Sequence, residues 1–264
     1  MRILFYLILS TLLVAEVHYS KVEPYKFKNI SSNVTGEILF VDENLIGKRL
    51  SSKPFIIIDA EIDNAELVDI KKKMQHLQET LLINEKILKN LEAVLEKKRL
   101  NYKKTEALKI KSRIDKDREF YDLVASENSY NATQKEIYSL KNSLADLQLR
   151  RIQLEKSIRD KKVTQKGFVL YSVAVKEGQV VNMATPLAQV ADISKGLLSI
   201  YVDADELQNI QNKVVYINGK KTSYRVSRVL DIADSVNISK YKVQIVIDPP
   251  KVFSKLVKVD LREE

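Results

Sequence analysis

Cysteine is absent from this chain of 264 residues, so disulfide staples and thiolate-bound metals are excluded at the outset. Histidine occurs only twice, and neither copy has the surroundings that acid–base chemistry requires. His18 falls in an apolar amino-terminal segment, and His76 falls at a solvent-facing helical position. Glycine is scarce, with six residues standing singly as turn formers, so there is no phosphate-cradling loop. Acidic residues alternate with lysine and arginine, as on a solvated helix face, and form no clustered ligand set. Met74 and Met183 stand where packing accounts for them. The sequence therefore predicts no catalytic residue, no cofactor and no metal: it does not read as an enzyme. The net charge of +9 is likewise spread as mixed-sign residues, which argues against a nucleic-acid partner.

Long apolar runs are also missing, with one exception. Residues 3–15, behind Arg2, are apolar apart from Ser10 and Thr11. That run is short of the roughly 20 residues a membrane span needs, so residues 1–20 read as an export leader. Cleavage could follow Ala15 or Ser20, and a retained anchor is the alternative. Proline and glycine are both absent from residues 63–163, so nothing there breaks a helix.

What is present is a short motif that occurs twice, on either side of that breaker-free stretch. The first copy runs Gly36-Glu37-Ile38-Leu39-Phe40, then Glu43, Pro54 and Asp59. The second runs Gly167-Phe168-Val169-Leu170-Tyr171, then Glu177-Gly178, Pro186 and Asp192. Internal similarity of this kind names an architecture. Neither copy buries a core alone, so the two should pair, Gly36 with Gly167 and Asp59 with Asp192, into one small β-sandwich. The segment between them must leave the sandwich and return to it.

That segment carries a heptad pattern. Its first seam reads Leu67, Ile70, Met74, Leu77, Leu81, Asn84, Leu88, Leu91, Leu95, Lys98 and Tyr102. A second seam reads Tyr130, Thr133, Ile137, Leu140, Leu144, Leu147, Arg151, Leu154 and Ile158. Residues 109–117, charged and poor in apolar side chains, separate them, with Asp115 or Asp117 as N-cap candidates for a new helix. Two seams about a polar break describe an antiparallel coiled-coil hairpin with arms of about 70 Å. One uninterrupted helix is the structural alternative. After Asp192, strand patterns at 197–202, 214–217, 224–230, 241–247 and 256–261 predict a small β-barrel, with Asn218-Gly219 as a hairpin turn. The fold class is α+β and elongated. The expected division is a leader at 1–20, a first half-motif at 28–60, the hairpin at 61–163, a second half-motif at 164–193 and a barrel at 194–264.

The split sandwich resembles the lipoyl or biotinyl carrier domain, but no modifiable-lysine turn lies at either junction, so a swinging-arm carrier is not expected. Taken in order, leader, half-motif, hairpin, half-motif and barrel resemble the HlyD-type membrane fusion proteins, the periplasmic adaptors of tripartite efflux and secretion pumps. Residues 185–192 are similar to that family's second half-motif. Residues 197–207, with Asp203, Asp205 and Glu206, are similar to its first barrel segment. The resemblance implies a periplasmic, envelope-associated, Gram-negative adaptor. Its partners would be an inner-membrane pump of the resistance-nodulation or ABC type, a TolC-type outer-membrane channel, and further copies of itself in a ring. Family members that dock on such channels often carry Arg, three residues, Leu, six residues, Ser at the hairpin tip. Lys104, Leu108 and Asp115 stand at those spacings here, although lysine lacks arginine's planar fork. The short segments flanking the β regions predict a reduced adaptor that lacks a further membrane-proximal domain. A structural coiled-coil envelope protein without a transport role is the alternative, and the split motif speaks against it.

Overall fold

The computed structural model describes residues 17–233 and 240–263. Residues 1–16 of the expected leader lie outside them. Two helices, α1 (Glu61–Ala107) and α2 (Arg113–Asp160), run antiparallel around a short turn, which excludes the single-helix alternative. Every seam position expected from the heptads is buried or half-buried, and Ile70, Leu95, Ile137, Leu140 and Leu154 are fully so. The seam also continues to Thr105 on α1 and back through Leu123 and Glu119 on α2, further than the sequence pattern was read. Asn84, the polar amide within the first seam, donates from its side chain to the Thr80 carbonyl of its own helix at 3.2 Å. Cross-helix ion pairs flank the seam. Arg150 grips Glu66 with two bonds of 2.7 and 2.8 Å, Arg99 reaches Glu127 at 2.9 Å, and Lys141 reaches Glu85 at 3.3 Å. These pairs are exposed and contribute at most about 1 kcal/mol each, whereas each buried seam leucine contributes about 1.5–3 kcal/mol.

The rest of the described residues hold thirteen strands, joined by loops and three short 3-10 turns. In chain order they are β1 (Val17–Lys21), β2 (Glu23–Ser31), β3 (Gly36–Val41), β4 (Ile56–Ile58), β5 (Lys162–Val163), β6 (Val169–Val173) and β7 (Val180–Val181). Then follow β8 (Pro186–Val202), β9 (Val214–Ile217), β10 (Lys220–Lys221), β11 (Val226–Ala233), β12 (Tyr241–Ile247) and β13 (Leu256–Arg262). One sheet runs β5-β4-β3-β7, so two strands from before the hairpin lie between two from after it. The associated hydrophobic core draws on both sides equally: Ile38, Leu50, Phe55, Ile56 and Ile58 meet Leu170, Val175, Val181, Leu187 and Val190. The two half-motifs form one unit around one core.

The halves are joined by reciprocal backbone bonds. The Gly178 N–H donates to the Ile38 carbonyl at 2.9 Å, and the Gly47 N–H donates to the Leu170 carbonyl at 2.8 Å. Ile38 also donates to Gln179, and Leu170 to Lys48. Gly47 and Gly178 take φ +81° and +79°, a turn conformation that costs an L side chain about 1–2 kcal/mol. The equivalence therefore matches Ile38 with Leu170 and Gly47 with Gly178. Gly47 with Gly178 keeps the spacing of the expected Gly36–Gly167 pairing, whereas Ile38 with Leu170 is shifted from it by one residue. Gly36 is needed because a Cβ there would meet Ile58 Cγ2 at 2.7 Å, whereas Gly167 sits at φ +92°.

The second β unit packs Val22, Leu198, Ile200, Val202, Val215, Val243, Ile245, Val257 and Val259 into its own core. Its sheets run β1-β13-β9-β10 and β11-β12-β8-β2. The Asn218-Gly219 pair turns β9 into β10 with φ +50° and +78°, as a two-residue hairpin demands. Here one expectation is corrected. The expected leader reached residue 20, yet Val17–Lys21 is a strand paired with β13 along its whole length. His18 belongs to that strand, buried, with Nε2 3.2 Å from Glu206 Oε1, and the Ser20 hydroxyl accepts from the Ser199 N–H at 2.9 Å. The inward positions of β1 are polar, so the alternation that reveals a strand is missing from the sequence. Among the described residues no helix is long and apolar enough to cross a membrane.

Candidate docking end of the helical hairpin

Each end of the hairpin is built differently. At the root, Lys161 places its ammonium 3.1 Å from Asp63 Oδ2, and the Ser157 hydroxyl donates to the same oxygen at 2.7 Å. Burial works against ionising Asp63, but the Ser157 hydroxyl and the Lys161 ammonium together hold its carboxyl below the usual aspartate range. Asp59 accepts from the Glu61 N–H at 3.0 Å and satisfies one of the free donors at the start of α1. Both helix ends are thereby fixed where they meet β4 and β5.

At the far end α1 stops at Ala107, with Leu108 in extended conformation and its N–H bonded to the Thr105 carbonyl at 3.2 Å. Ser112 opens α2. Its hydroxyl oxygen accepts from the Asp115 N–H at 3.2 Å and donates to Asp115 Oδ2 at 2.8 Å. Ser112 is thus the N-cap, and Asp115 stands three residues on as its reciprocal partner. The sequence reading that gave Asp115 or Asp117 the cap is corrected: serine, with a carboxylate three residues later, outcompetes a lone aspartate. The Ser112 hydroxyl, followed by the charges of Lys111 and Arg118, holds the Asp115 carboxyl below its ordinary range. Lys116 reaches across the turn to the Glu106 carbonyl at 2.9 Å, satisfying a free acceptor at the end of α1. Just below the turn, Tyr102 and Phe120 place ring centroids 5.8 Å apart and tie the two helices together.

The fold brings Leu108 and Asp115 to this turn and leaves Lys104 in the last turn of α1. Leu108 is 44% exposed. Sequence reasoning missed two side chains that are more exposed: Ile110 at 91% and Ile114 at 80%. A signal was available, because both isoleucines fall off the heptad seam and inside the charged stretch 109–117, the segment expected at the turn. In the second β unit, Asp203 and Glu206 cap a short 3-10 turn at Ala204–Leu207, and Asp203 also pairs with Lys240 at 3.3 Å. Those acidic residues therefore have structural partners. No group of side chains that could hold a metal ion occurs among the described residues.

No family profile and no curated protein matches the sequence. Solved structures do match the fold. MacA from Actinobacillus actinomycetemcomitans superposes with a TM-score of 0.70 over 93% of this chain and 78% of its own, at 16% identity. The membrane fusion protein Spr0693 from Streptococcus pneumoniae R6 gives 0.64 over 95% and 100%, at 10% identity. A MacA-MexA chimeric protein containing the Pseudomonas aeruginosa MexA α-hairpin domain gives 0.58 over 94% and 81%, at 16% identity. The chain has the fold of the membrane fusion proteins, a mixed helix-and-sheet architecture with a long helical hairpin.

Proposed function

We propose that this chain is a non-enzymatic periplasmic adaptor of a Gram-negative envelope, linking an inner-membrane pump to an outer-membrane channel. The observation that carries the reading is the contrast along the hairpin. Two helices of about 70 Å are locked at the root to a β unit and end in a preformed turn with bare apolar side chains. That is a spacer with a contact at its end. The split β unit is read as a lipoyl-like sandwich that packs side by side with neighbouring copies in a ring. The second β unit is read as the barrel that touches the pump, of resistance-nodulation or ABC type. The hairpin end docks on a TolC-type channel, with Lys104, Leu108 and Asp115 at the contact. Energy and substrate choice belong to the pump. The leader is shortened in this reading to end no later than residue 16, because β1 is needed by the second β unit.

The test is genetic and biochemical. Deleting the gene should abolish export of the pump's substrate, and the full-length chain should restore it. Copies of this chain, the pump and the channel should also be recovered as one complex after cross-linking in cells. Normal export in the deletion strain, accompanied by a change in envelope shape or integrity, would favour the structural coiled-coil protein instead.

A further inference from the structure

Ile110, in the turn, and Ile114, in the first turn of α2, are almost wholly bare. Four contacts hold that turn: the Ser112 cap, the Ser112–Asp115 bond, the Lys116 strap to Glu106 and the Leu108 bond to Thr105. Isoleucine at 110 and 114 contributes nothing to the seam, and leaving both in water forgoes the stabilisation that burial would bring. Around them lie Lys109, Lys111, Arg113 and Lys116. Residues 103–118 hold seven basic side chains against three acidic ones.

We propose that Ile110 and Ile114 are the anchor of the hairpin's contact, and that they seat in an apolar slot rimmed by carboxylates on a protein partner. Lys104, Leu108 and Asp115 then lie at the periphery. This rests on the adaptor reading above and assigns the chemistry of its distal partner. A protein surface fits better than a lipid bilayer for two reasons. Two isoleucines are a small apolar payload for a membrane anchor, and the ionised Asp115 beside them resists transfer to hydrocarbon or to an anionic headgroup layer. The basic collar supplies the complementary charge for an acidic rim, and with it rapid, salt-sensitive association.

The full chain would be tested by surface plasmon resonance against a purified TolC-type channel in detergent, and separately against anionic phosphatidylglycerol vesicles. The inference expects the Ile110→Ser, Ile114→Ser double variant to lose about 100-fold or more in channel affinity, with thermal melting unchanged. Replacing Lys109, Lys111 and Arg113 with glutamine should slow association about tenfold at low salt and flatten its salt dependence. A Lys104→Ala, Leu108→Ser, Asp115→Ala variant should lose clearly less than the isoleucine pair. If wild type binds the channel and the isoleucine double variant binds equally well, the anchor assignment is overturned while the adaptor reading stands. A triple variant that loses as much as the double one overturns it as well. Wild-type chain that ignores the channel sinks both readings, and isoleucine-dependent binding to vesicles alone transfers the site to a membrane surface.

Discussion

The root and the far end of the hairpin use the same residue types to opposite ends. At the root a carboxylate, an ammonium and a hydroxyl are packed together and largely shielded from water, with the Lys161 side chain only 10% exposed. At the tip a carboxylate and a hydroxyl pair just as closely, yet they stand in solvent beside bare isoleucines. Buried polar groups without partners are costly, so the root's network fixes the direction in which the hairpin leaves the β unit. The tip's network only shapes a turn. One end serves aim and the other serves contact, and substitutions at the two ends should separate along that line.

The largest effect should come from the seam between them. Leu154→Asp, near the root, buries an unpaired carboxylate and should cost about 3–5 kcal/mol, read as a drop in melting temperature. Leu123→Asp, half-buried and near the tip, should cost about half as much. Equal losses would show that the two ends are packed alike. Next comes the root itself. Asp63→Ala strands the Lys161 ammonium and should destabilise by about 2–3 kcal/mol. Asp115→Ala removes only a local bond at the turn and should shift urea unfolding far less.

A smaller effect belongs to the paired turns of the split β unit. Gly47→Ala and Gly178→Ala should each cost about 1–2 kcal/mol and resemble one another, since both sit near φ +80° and donate to opposite halves. Unequal losses would weaken the internal equivalence drawn from the reciprocal bonds. Acid titration probes the root again. The folded Asp63 carboxyl titrates below its unfolded value, so its stabilisation is complete above about pH 3.9. It then fades as pH falls through the lowered folded value, and Asp63→Asn should flatten that part of the stability profile. A small change is also expected for Arg150→Ala, whose exposed bidentate pair with Glu66 is worth less than about 1 kcal/mol.

What the sequence made legible follows the strength of its periodicities. Eleven heptad positions from Leu67 to Tyr102 were readable because a 3.5-residue repeat over so many turns admits no other packing. The strands β9 and β12 were readable to the residue, because each is rich in β-branched and aromatic residues and ends at a turn former. β1 was not, since His18 and Ser20 occupy its inward positions and its neighbours resemble a leader. The Ser112 cap was hidden among carboxylates that looked like better candidates. At the candidate site, Lys104, Leu108 and Asp115 were reached through a spacing rule. Ile110 and Ile114 went unnoticed because exposure, unlike periodicity, belongs to the folded turn.

β8 spans Pro186–Val202 as one unbroken strand, lending Leu187 and Val190 to one core and Leu198, Ile200 and Val202 to the other. Such a strand has a reading frame of its own. Adding or deleting a single residue near Ser194 would leave the first core intact and turn every inward side chain of the second outward. A two-residue change would preserve the frame. In lineages descended from this chain, lengths at that junction should therefore drift in even steps.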